Sequence, residues 1–303
     1  MHNLYLSGGY GTVSGTIIGI IFNPVTYRGR SVERMKHVLE LLDSKGVEYQ
    51  YKETKSEGDA VSIASKLSES CDIIVAAGGD GTAFEVVNGA IRNEPDFMIL
   101  PFGSGNDIAR SLGTDGLSDE ELVDVLIAKK TRGFDYLISN GTVSMVYVSM
   151  GIVVNIIRDF KDPNNARKSY YSTMLASVRR SRPRRYHIKT PTMDRDIVSD
   201  FISAQNTVTA GGGMTVTPDA KDDDGMIDLF VIEHTNVVRK YLNLFALARK
   251  KVVKQPNITV ERTKWAEITP LDGIEWYSLD GELMTTEGLR IDICEKQMKM
   301  IVP

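Results

Sequence analysis

The chain has 303 residues, 42% of them hydrophobic and 25% charged, enough for two domains or one large one with a buried core. A net charge of −4 gives no global reason to expect nucleic-acid binding. Two distant cysteines, Cys71 and Cys294, and four scattered histidines exclude a disulfide framework and a His/Cys metal cluster, and no apolar run approaches the roughly 20 residues that cross a bilayer.

A reducing cytoplasm is therefore the default compartment. Residues 1–16, MHNLYLSGGYGTVSGT, are glycine-rich and lack the basic-then-apolar pattern of a signal peptide, so a flexible tail is expected. From Ile17 onward strand and helix alternate. IIGIIF predicts a buried strand. SVERMKHVLELLDSKG predicts a helix with Val32, Met35, Val38, Leu39 and Leu42 on one face, Ser31 at its start and Gly46 at its end. VEYQYKET, CDIIVAA and FMILP predict further strands. GDAVSIASKLSES, with Asp59 as its cap, and TAFEVVNGAIR predict helices. SDEELVDVLIAKK predicts another, opened by Ser118 and Glu121 in capping-box spacing and closed by lysines. Such alternation argues for a parallel sheet covered by helices, with ligands at the carboxyl ends of its strands. The turns NPVTYRGR, GGDGT and PFGSGND all fall there.

After about residue 135 the runs FDYLISNGTVSMVYVSMG, RRYHIKT, DIVSDFISAQNTVTAG and GMIDLFVIE predict strands separated by Gly, Asn and Asp turns. The helix NVVRKYLNLFALARKKVV interrupts them. This half reads as an antiparallel sheet domain. GLRIDIC and MKMIVP either stay with it or return to the first domain.

Four constellations carry chemistry. In GGDGT, glycines between strand and helix let backbone N–H groups approach a phosphate at a helix start. Asp80 opposes that charge, so it makes sense either as a turn cap or beside a Mg²⁺. The spacing fits neither a Walker loop nor GxGxxG. PFGSGNDIAR follows a second strand, with Gly103, Ser104, Gly105, Asn106 and Asp107. Asp135 closes GFD. Singly each carboxylate is more often a cap or turn residue, but three in one crevice are costly unless a cation neutralises them, which favours a Mg²⁺–nucleotide site. GGGMTVTPDAKDDDGMIDLF reads as an oxygen-ligand cation site or an acidic turn. In YSLDGELM, Asp280-Gly281 signals a hairpin, and Glu282 is a general base or a surface residue.

GGDGT followed by EVVNG, then PFGSGNDIAR, PDAKDDDGMID and LDGE, occur in the order and rough spacing of the diacylglycerol kinase catalytic family. The chain most resembles its bacterial soluble lipid kinases, the YegS/BmrU-like proteins, from about Ile17 to the end. The resemblance implies an α/β, Rossmann-like nucleotide-binding domain over residues 17–136, rejoined by about 295–303. It implies an antiparallel β-sandwich lipid domain over 137–294, as in NAD kinase-like folds. It implies that Asn23, Pro24, Val25, Thr26, Tyr27, Thr54, Gly78, Gly79, Asp80, Gly81, Thr82, Glu85, Gly103, Ser104, Gly105 and Asn106 line an ATP site. Asp80, Asp107 and Asp135 would hold a Mg²⁺–water network. Lys221 and Met226, through carbonyls, and Asp224, through its carboxylate, would bind a second Mg²⁺. Glu282, with Asp280 beside it and Asp80 at the phosphates, would serve catalysis by transfer of the ATP γ-phosphate to a diacylglycerol-like hydroxyl. Phosphatidylglycerol or a sphingoid base are the alternative acceptors, and a non-catalytic nucleotide- or lipid-binding protein is the alternative class.

The sequence departs from the family pattern at NPVTYRGR, where bulky Tyr27 and Arg28 precede Gly29. It departs again at Ala83-Phe84, which follow GGDGT where the family commonly has Leu-Asn, and at MGIVVNIIRD, where the family has a Gly-rich turn. Arg167, Lys168, Arg179, Arg180, Arg182, Arg184 and Arg185 form a basic stretch beside an amphipathic pattern around Tyr170, Tyr171, Met174 and Leu175. Peripheral contact with an anionic membrane is expected there, each basic residue contributing about 1 kcal/mol. A solvated helix end or a homodimer contact is the alternative.

Overall fold

The computed structural model describes residues 15–29, 31–162, 170–248, 255–294 and 298–303. The expected tail lies almost wholly outside the described residues, as do Arg167, Lys168 and the side chains of Tyr27, Arg28, Tyr170, Tyr171, Met174 and Arg180. The chain divides into two units, Met1–Phe134 with Met298–Pro303, and Asp135–Gln297.

The first unit holds β1 (Ile18–Phe22), β2 (Tyr49–Glu53), β3 (Ile73–Gly78), β4 (Asp96–Pro101) and β5 (Thr131–Phe134). The chain's last strand, β19 (Met298–Ile301), returns to complete this sheet, in the order β2-β1-β3-β4-β19-β5. All neighbours are parallel except β19 and β5. Every residue of β1 and β3 is buried, as central strands with both faces covered require. Helices α1 (Ser31–Ser44) and α5 (Asp119–Ala128) pack Met35, Val38, Leu42, Leu122 and Leu126 against Ile18, Ile20, Phe22 and Ile301. Helices α2 (Asp59–Leu67), α3 (Asp80–Ala90) and the short α4 (Asp107–Leu112) complete the unit.

Local chemistry fixes the helix ends. Ser118 and Glu121 form a full capping box on α5. In α1, Val32 is 48% exposed, so the buried stripe begins at Ser31 instead and runs through Met35, Val38 and Leu42. Asp59 does not cap α2. Its Oδ2 accepts the Lys55 and Ser56 N–H groups of the preceding turn, and left-handed Gly58 takes the cap position without a side-chain bond.

The second unit is built on antiparallel strands β6 (Leu137–Ser139), β7 (Thr142–Ser144), β8 (Tyr147–Gly151), β9 (Arg184–Lys189), β10 (Asp194–Gln205), β13 (Ile227–Glu233) and β14 (Ile258–Thr263). They are joined by β15 (Trp265–Pro270), β16 (Glu275–Leu279), β17 (Glu282–Thr286) and β18 (Leu289–Ile293). These eleven strands share one branched sheet, and β11 (Thr209–Ala210) and β12 (Met214–Thr215) form a small ribbon. The branch point is β10. Its first half pairs β9, its second half lies between β8 and β13, and a register shift falls between Ser199 and Phe201. A bulge there re-aims the intervening residue, Asp200. GLRIDIC, as β18, stays in this unit and pairs β15 and β6.

Helices α6 (Ile152–Lys161), α7 (Tyr170–Arg180) and α8 (Val237–Ala248) belong to this unit. MGIVVNIIRD, which replaces the family's Gly-rich turn, ends β8 and opens α6, a helix not expected from the sequence. Its β-branched residues disguise a helix, because Ile and Val are individually strand formers. Gly151 ends β8 at φ 85°, and a Cβ there would lie 2.5 Å from the Asp200 carbonyl oxygen. No helix among the described residues is long and apolar enough to cross a membrane.

Candidate functional site

In the first unit three turns follow the ends of β1, β3 and β4. After β1, Asn23 Oδ1 accepts the Val25 N–H at 3.2 Å, and a 3-10 turn runs over Thr26–Gly29. Pro24 and Val25 lie on this turn, and Val25 is 78% exposed. Asn23 Nδ2 donates to Thr82 Oγ1 at 3.2 Å, tying the first turn to the start of α3. Thr54 is buried, and its N–H donates to Phe22 O at 2.9 Å.

The second and third turns touch backbone to backbone. A Cβ on Gly103 would lie 2.5 Å from Gly79 Cα, and one on Gly105 would lie 2.7 Å from Asp80 Oδ2. A Cβ on Gly78 would strike Thr82. These glycines are thus required by mutual packing of the loops. Asp80 is the first residue of α3, whose cap position is Gly79. Its Oδ1 accepts the Ile108 N–H at 3.3 Å, in the first turn of α4. Asp107, 5% exposed, accepts from Arg110 Nη1 at 2.8 Å. Asn106 adopts a left-handed conformation at φ 53° and donates from Nδ2 to Asp115 at 3.3 Å, while its buried Oδ1 has no partner in the described structure. Ser104 is exposed on the same turn, and Gly81 and Thr82 continue the first turn of α3.

Glu85 has a task of its own. Its carboxylate accepts the Gly58 and Ala60 N–H groups at 3.0 and 3.2 Å, so α3 supplies the cap that α2 lacks.

Asp135 begins the second unit and is 1% exposed. Its Oδ2 accepts the Gly225 N–H at 2.6 Å, and its own N–H donates to Asp222 O at 2.6 Å. It is therefore wired to the DDDG turn. Asp224 Oδ1 accepts the Met226 N–H at 3.1 Å, and Oδ2 pairs with Arg262. Asp228, two residues after Met226, is 2% exposed, and its Oδ2 has no partner. Burial, reinforced by Asp224 and Asp219 and opposed by Arg262, pushes its carboxyl up to about 6. No group of three or more His, Cys, Asp or Glu side chains among the described residues makes a cation cage. Mg²⁺ bound there would take one carboxylate, Asp224, and the Lys221 and Met226 carbonyls. An unmet acidic oxygen on Asp228 nearby makes that donor set electrostatically fit for a cation.

The DGE turn has a rigid foundation. Leu279 pairs with Glu282 across a two-residue hairpin in which Asp280 (φ 50°) and Gly281 (φ 99°) both have positive φ. Asp280 accepts the Ser144 hydroxyl at 2.7 Å and the N–H groups of Met145, Val146 and Tyr147 at 2.6, 2.9 and 2.9 Å. Burial raises its pKa and these donors lower it, burial being the larger effect. Glu282, first residue of β17, accepts from Lys161 Nζ at 2.9 Å. Lys161 ends α6, the helix hidden in MGIVVNIIRD.

The same helix lines an apolar cleft in the second unit with Ile152, Val153 and Ile156, facing β8, β10, α7 and α8. A buried ion pair stands on its wall: Lys240 Nζ donates to Asp200 Oδ1 at 2.7 Å, with side chains 7% and 5% exposed. His234 Nδ1 lies 3.2 Å from the same carboxylate. Sequence reading missed this cluster. Its signal was available: Asp200 interrupts an alternating strand, and Lys240 and Asn243, three apart, stand among apolar residues of α8.

The basic stretch divides. Arg184 pairs with Glu275 at 3.0 Å and Arg185 with Asp272 at 2.6 Å, so both charges are matched within the fold. Arg179 and Arg182 are exposed.

A family model described as the diacylglycerol kinase catalytic domain matches residues 18–138, and one described as the YegS C-terminal NAD kinase beta sandwich-like domain matches residues 144–302, just over half the chain. The chain is 26% identical over 272 residues to a diacylglycerol kinase of Bacillus subtilis, covering 87% of this chain and 88% of that one. It is 28% identical over 279 residues to a diacylglycerol kinase of Staphylococcus haemolyticus, covering 87% and 81%. The crystal structure of a diacylglycerol kinase from Bacillus anthracis has the same fold, with a TM-score of 0.76 at 21% identity over 97% of this chain and 98% of that one. An NAD kinase from Archaeoglobus fulgidus in complex with ATP shares the fold at a TM-score of 0.53 and 13% identity, covering 94% and 93%. With matching models on both units, the chain belongs to the diacylglycerol kinase catalytic/YegS family, and it is a lipid kinase.

Proposed function

We propose that the protein transfers the γ-phosphate of ATP to a hydroxyl of a diacylglycerol-like lipid. One observation carries the acceptor side. A single helix, α6, lines an apolar cleft through Ile152, Val153 and Ile156 and engages Glu282 through Lys161 at its end. A greasy chain and a base are thus served by one rigid element, as a lipid hydroxyl acceptor demands.

In this reading the turns after β1, β3 and β4, from Asn23 to Tyr27, Gly78 to Thr82 and Gly103 to Asn106, cradle the nucleotide through backbone amides. Thr54 and Glu85 act from behind it, Thr54 from the core and Glu85 by holding α2. Glu282 takes the proton of the acceptor hydroxyl. That oxygen forms its bond to the γ-phosphorus as the bond to the β–γ bridging oxygen breaks, leaving ADP and a phosphorylated lipid. Asp280 positions Glu282 by fixing the turn. Mg²⁺, when bound, supplies charge neutralisation. Asp80 and Asp107 would hold it at the phosphates, and in the second unit Lys221, Asp224 and Met226 would hold a second ion beside Asp228, with Asp135 bracing their turn. Exposed Arg179 and Arg182 support contact with an anionic membrane.

The test uses purified protein, γ-labelled ATP, Mg²⁺ and a lipid panel in mixed micelles. Labelled phosphatidate that disappears in Glu282→Gln and Asp80→Ala supports the reading. Nucleotide binding with every lipid unlabelled would overturn it in favour of a non-catalytic binding protein, and a labelled phosphatidylglycerol or sphingoid base alone would replace the acceptor.

A further inference from the structure

Three buried polar atoms stand on the wall of the second unit's cleft with no hydrogen-bond partner in the described structure. Asn243, 3% exposed on α8, leaves both Oδ1 and Nδ2 unmet. Gln205, 1% exposed at the end of β10, gives Nε2 to Ser203 Oγ at 2.6 Å and leaves Oε1 unmet. Ser203 is occupied in turn by Ser149, and Lys240 by Asp200. Buried amides are normally paired, because desolvating them without a partner is unfavourable. The ion pair and the serine pair at this wall are matched, so the two carboxamides left open mark a place where a ligand completes the pairing.

We propose that the lipid chain entering this cleft carries a group that both donates and accepts hydrogen bonds, a hydroxyl or a secondary amide, and that Asn243 and Gln205 read it. The inference rests on the lipid-acceptor reading above and narrows it. A plain hydrocarbon chain leaves all three atoms unmet. An ester carbonyl satisfies Asn243 Nδ2 but offers no proton to either carboxamide oxygen. A hydroxyl or secondary amide offers one donor and one acceptor together. Interchanging the two atoms of the Asn243 amide changes nothing, since one donor and one acceptor remain open either way. The two carboxamides thus act as specificity determinants, discriminating among acceptors of equal chain length. A site built to hydrogen-bond a polar group rejects the analogue that lacks it, because its own groups are then stranded.

The experiment measures binding of two monomeric short-chain lipids to the full chain by calorimetry, without ATP. One is a diester diacylglycerol. The other has the same length, with one ester replaced by a secondary amide or one chain hydroxylated. The expected result is about tenfold tighter binding of the second lipid to the wild type, the scale of one buried hydrogen bond made rather than missed. Gln205→Met brings that ratio toward one while the diester binds as before, and Asn243→Leu, which also removes the donor an ester carbonyl uses, weakens both lipids and narrows the ratio. Equal binding of both lipids by the wild type would overturn the proposal, and the amides would then be met by water alone. An unequal ratio that neither variant changes would overturn it as well. Binding of neither lipid, by protein that a separate titration shows to bind ATP, would instead remove the lipid-acceptor reading on which it stands.

Discussion

Lys161 at the end of α6 and Glu282 at the start of β17 form an ion pair at 2.9 Å, with side chains 48% and 29% exposed. At that exposure the pair contributes about 0–1 kcal/mol to stability. Glu282→Gln is therefore expected to leave the melting temperature within a few degrees of wild type and to lower kcat by about 10²–10⁴-fold, the scale of a positioned base. Lys161→Met is expected to be equally benign to stability. A Glu282→Gln protein that phosphorylates lipid at the wild-type rate would remove Glu282 from the mechanism.

Asp280 behaves differently. A hydroxyl and three backbone N–H groups from Ser144 to Tyr147 converge on its carboxylate, which is almost wholly buried. Truncation strands those donors at about 1–3 kcal/mol each. Asp280→Ala is expected to melt far below wild type or to fail to fold, and Asp280→Asn, which keeps one acceptor oxygen, to fall between. Denaturation curves of the three proteins decide it. A stable but inactive Asp280→Ala would instead argue for direct chemistry at this residue.

Glu85 separates an architectural role from a nucleotide one. Both its oxygens accept amides at the start of α2. Glu85→Ala is expected to lose about 0.5–2 kcal/mol, as for a lost helix cap, with the KM for ATP unchanged. A raised KM at unchanged stability would return Glu85 to the ATP site.

Chain order and periodicity carry most of the first unit. The buried run of β1, the Ser118–Glu121 box and the glycine turns after strands are local patterns, and local patterns survive folding. What failed to show in the sequence is non-local. Asp59 stands where a cap belongs, yet Glu85, from the next helix, makes the bonds. Asp80 among glycines reads as a cap or a metal ligand, and nothing local to it shows that its Oδ1 also accepts the Ile108 N–H at the start of α4. Phe84, where the family commonly has an amide, is 7% exposed and packed into the first unit. In the second unit α6 was hidden by β-branched residues, and with it Lys161, the partner of Glu282. The Asp280 network joins positions more than 130 apart in sequence, which no window of residues can reveal.

The approach of Gly103 to Gly79 offers a test of how tightly the two glycine turns must close. A Cβ at Gly103 would lie 2.5 Å from Gly79 Cα and 2.8 Å from Asn106 Oδ1. Backbone cannot yield as a side chain can, so the turns must separate. Gly103→Ala is expected to cost about 1–3 kcal/mol, as overpacking does, and to weaken ATP binding measurably. Wild-type nucleotide affinity in a folded Gly103→Ala protein would mean that the turns are not the cradle.

Asp228 gives the stability of the second unit a pH dependence of definite sign. In the fold its carboxyl is pushed up to about 6, chiefly by burial, from an ordinary value of 3.8. Between those values the folded chain keeps a proton that the unfolded chain has released. The stabilisation from protonated Asp228 is then complete below the unfolded value and is lost as pH rises through about 6. Asparagine has the same shape and no charge to bury, so Asp228→Asn escapes that loss. With metal removed by chelation, the stability of Asp228→Asn relative to wild type is expected to climb as pH is raised from about 4 to about 7 and to level off above. Urea denaturation at closely spaced pH values measures it. A difference that stays flat over this range would mean that Asp228 is charged throughout, with Arg262, 4.0 Å away, outweighing both burial and the neighbouring acids.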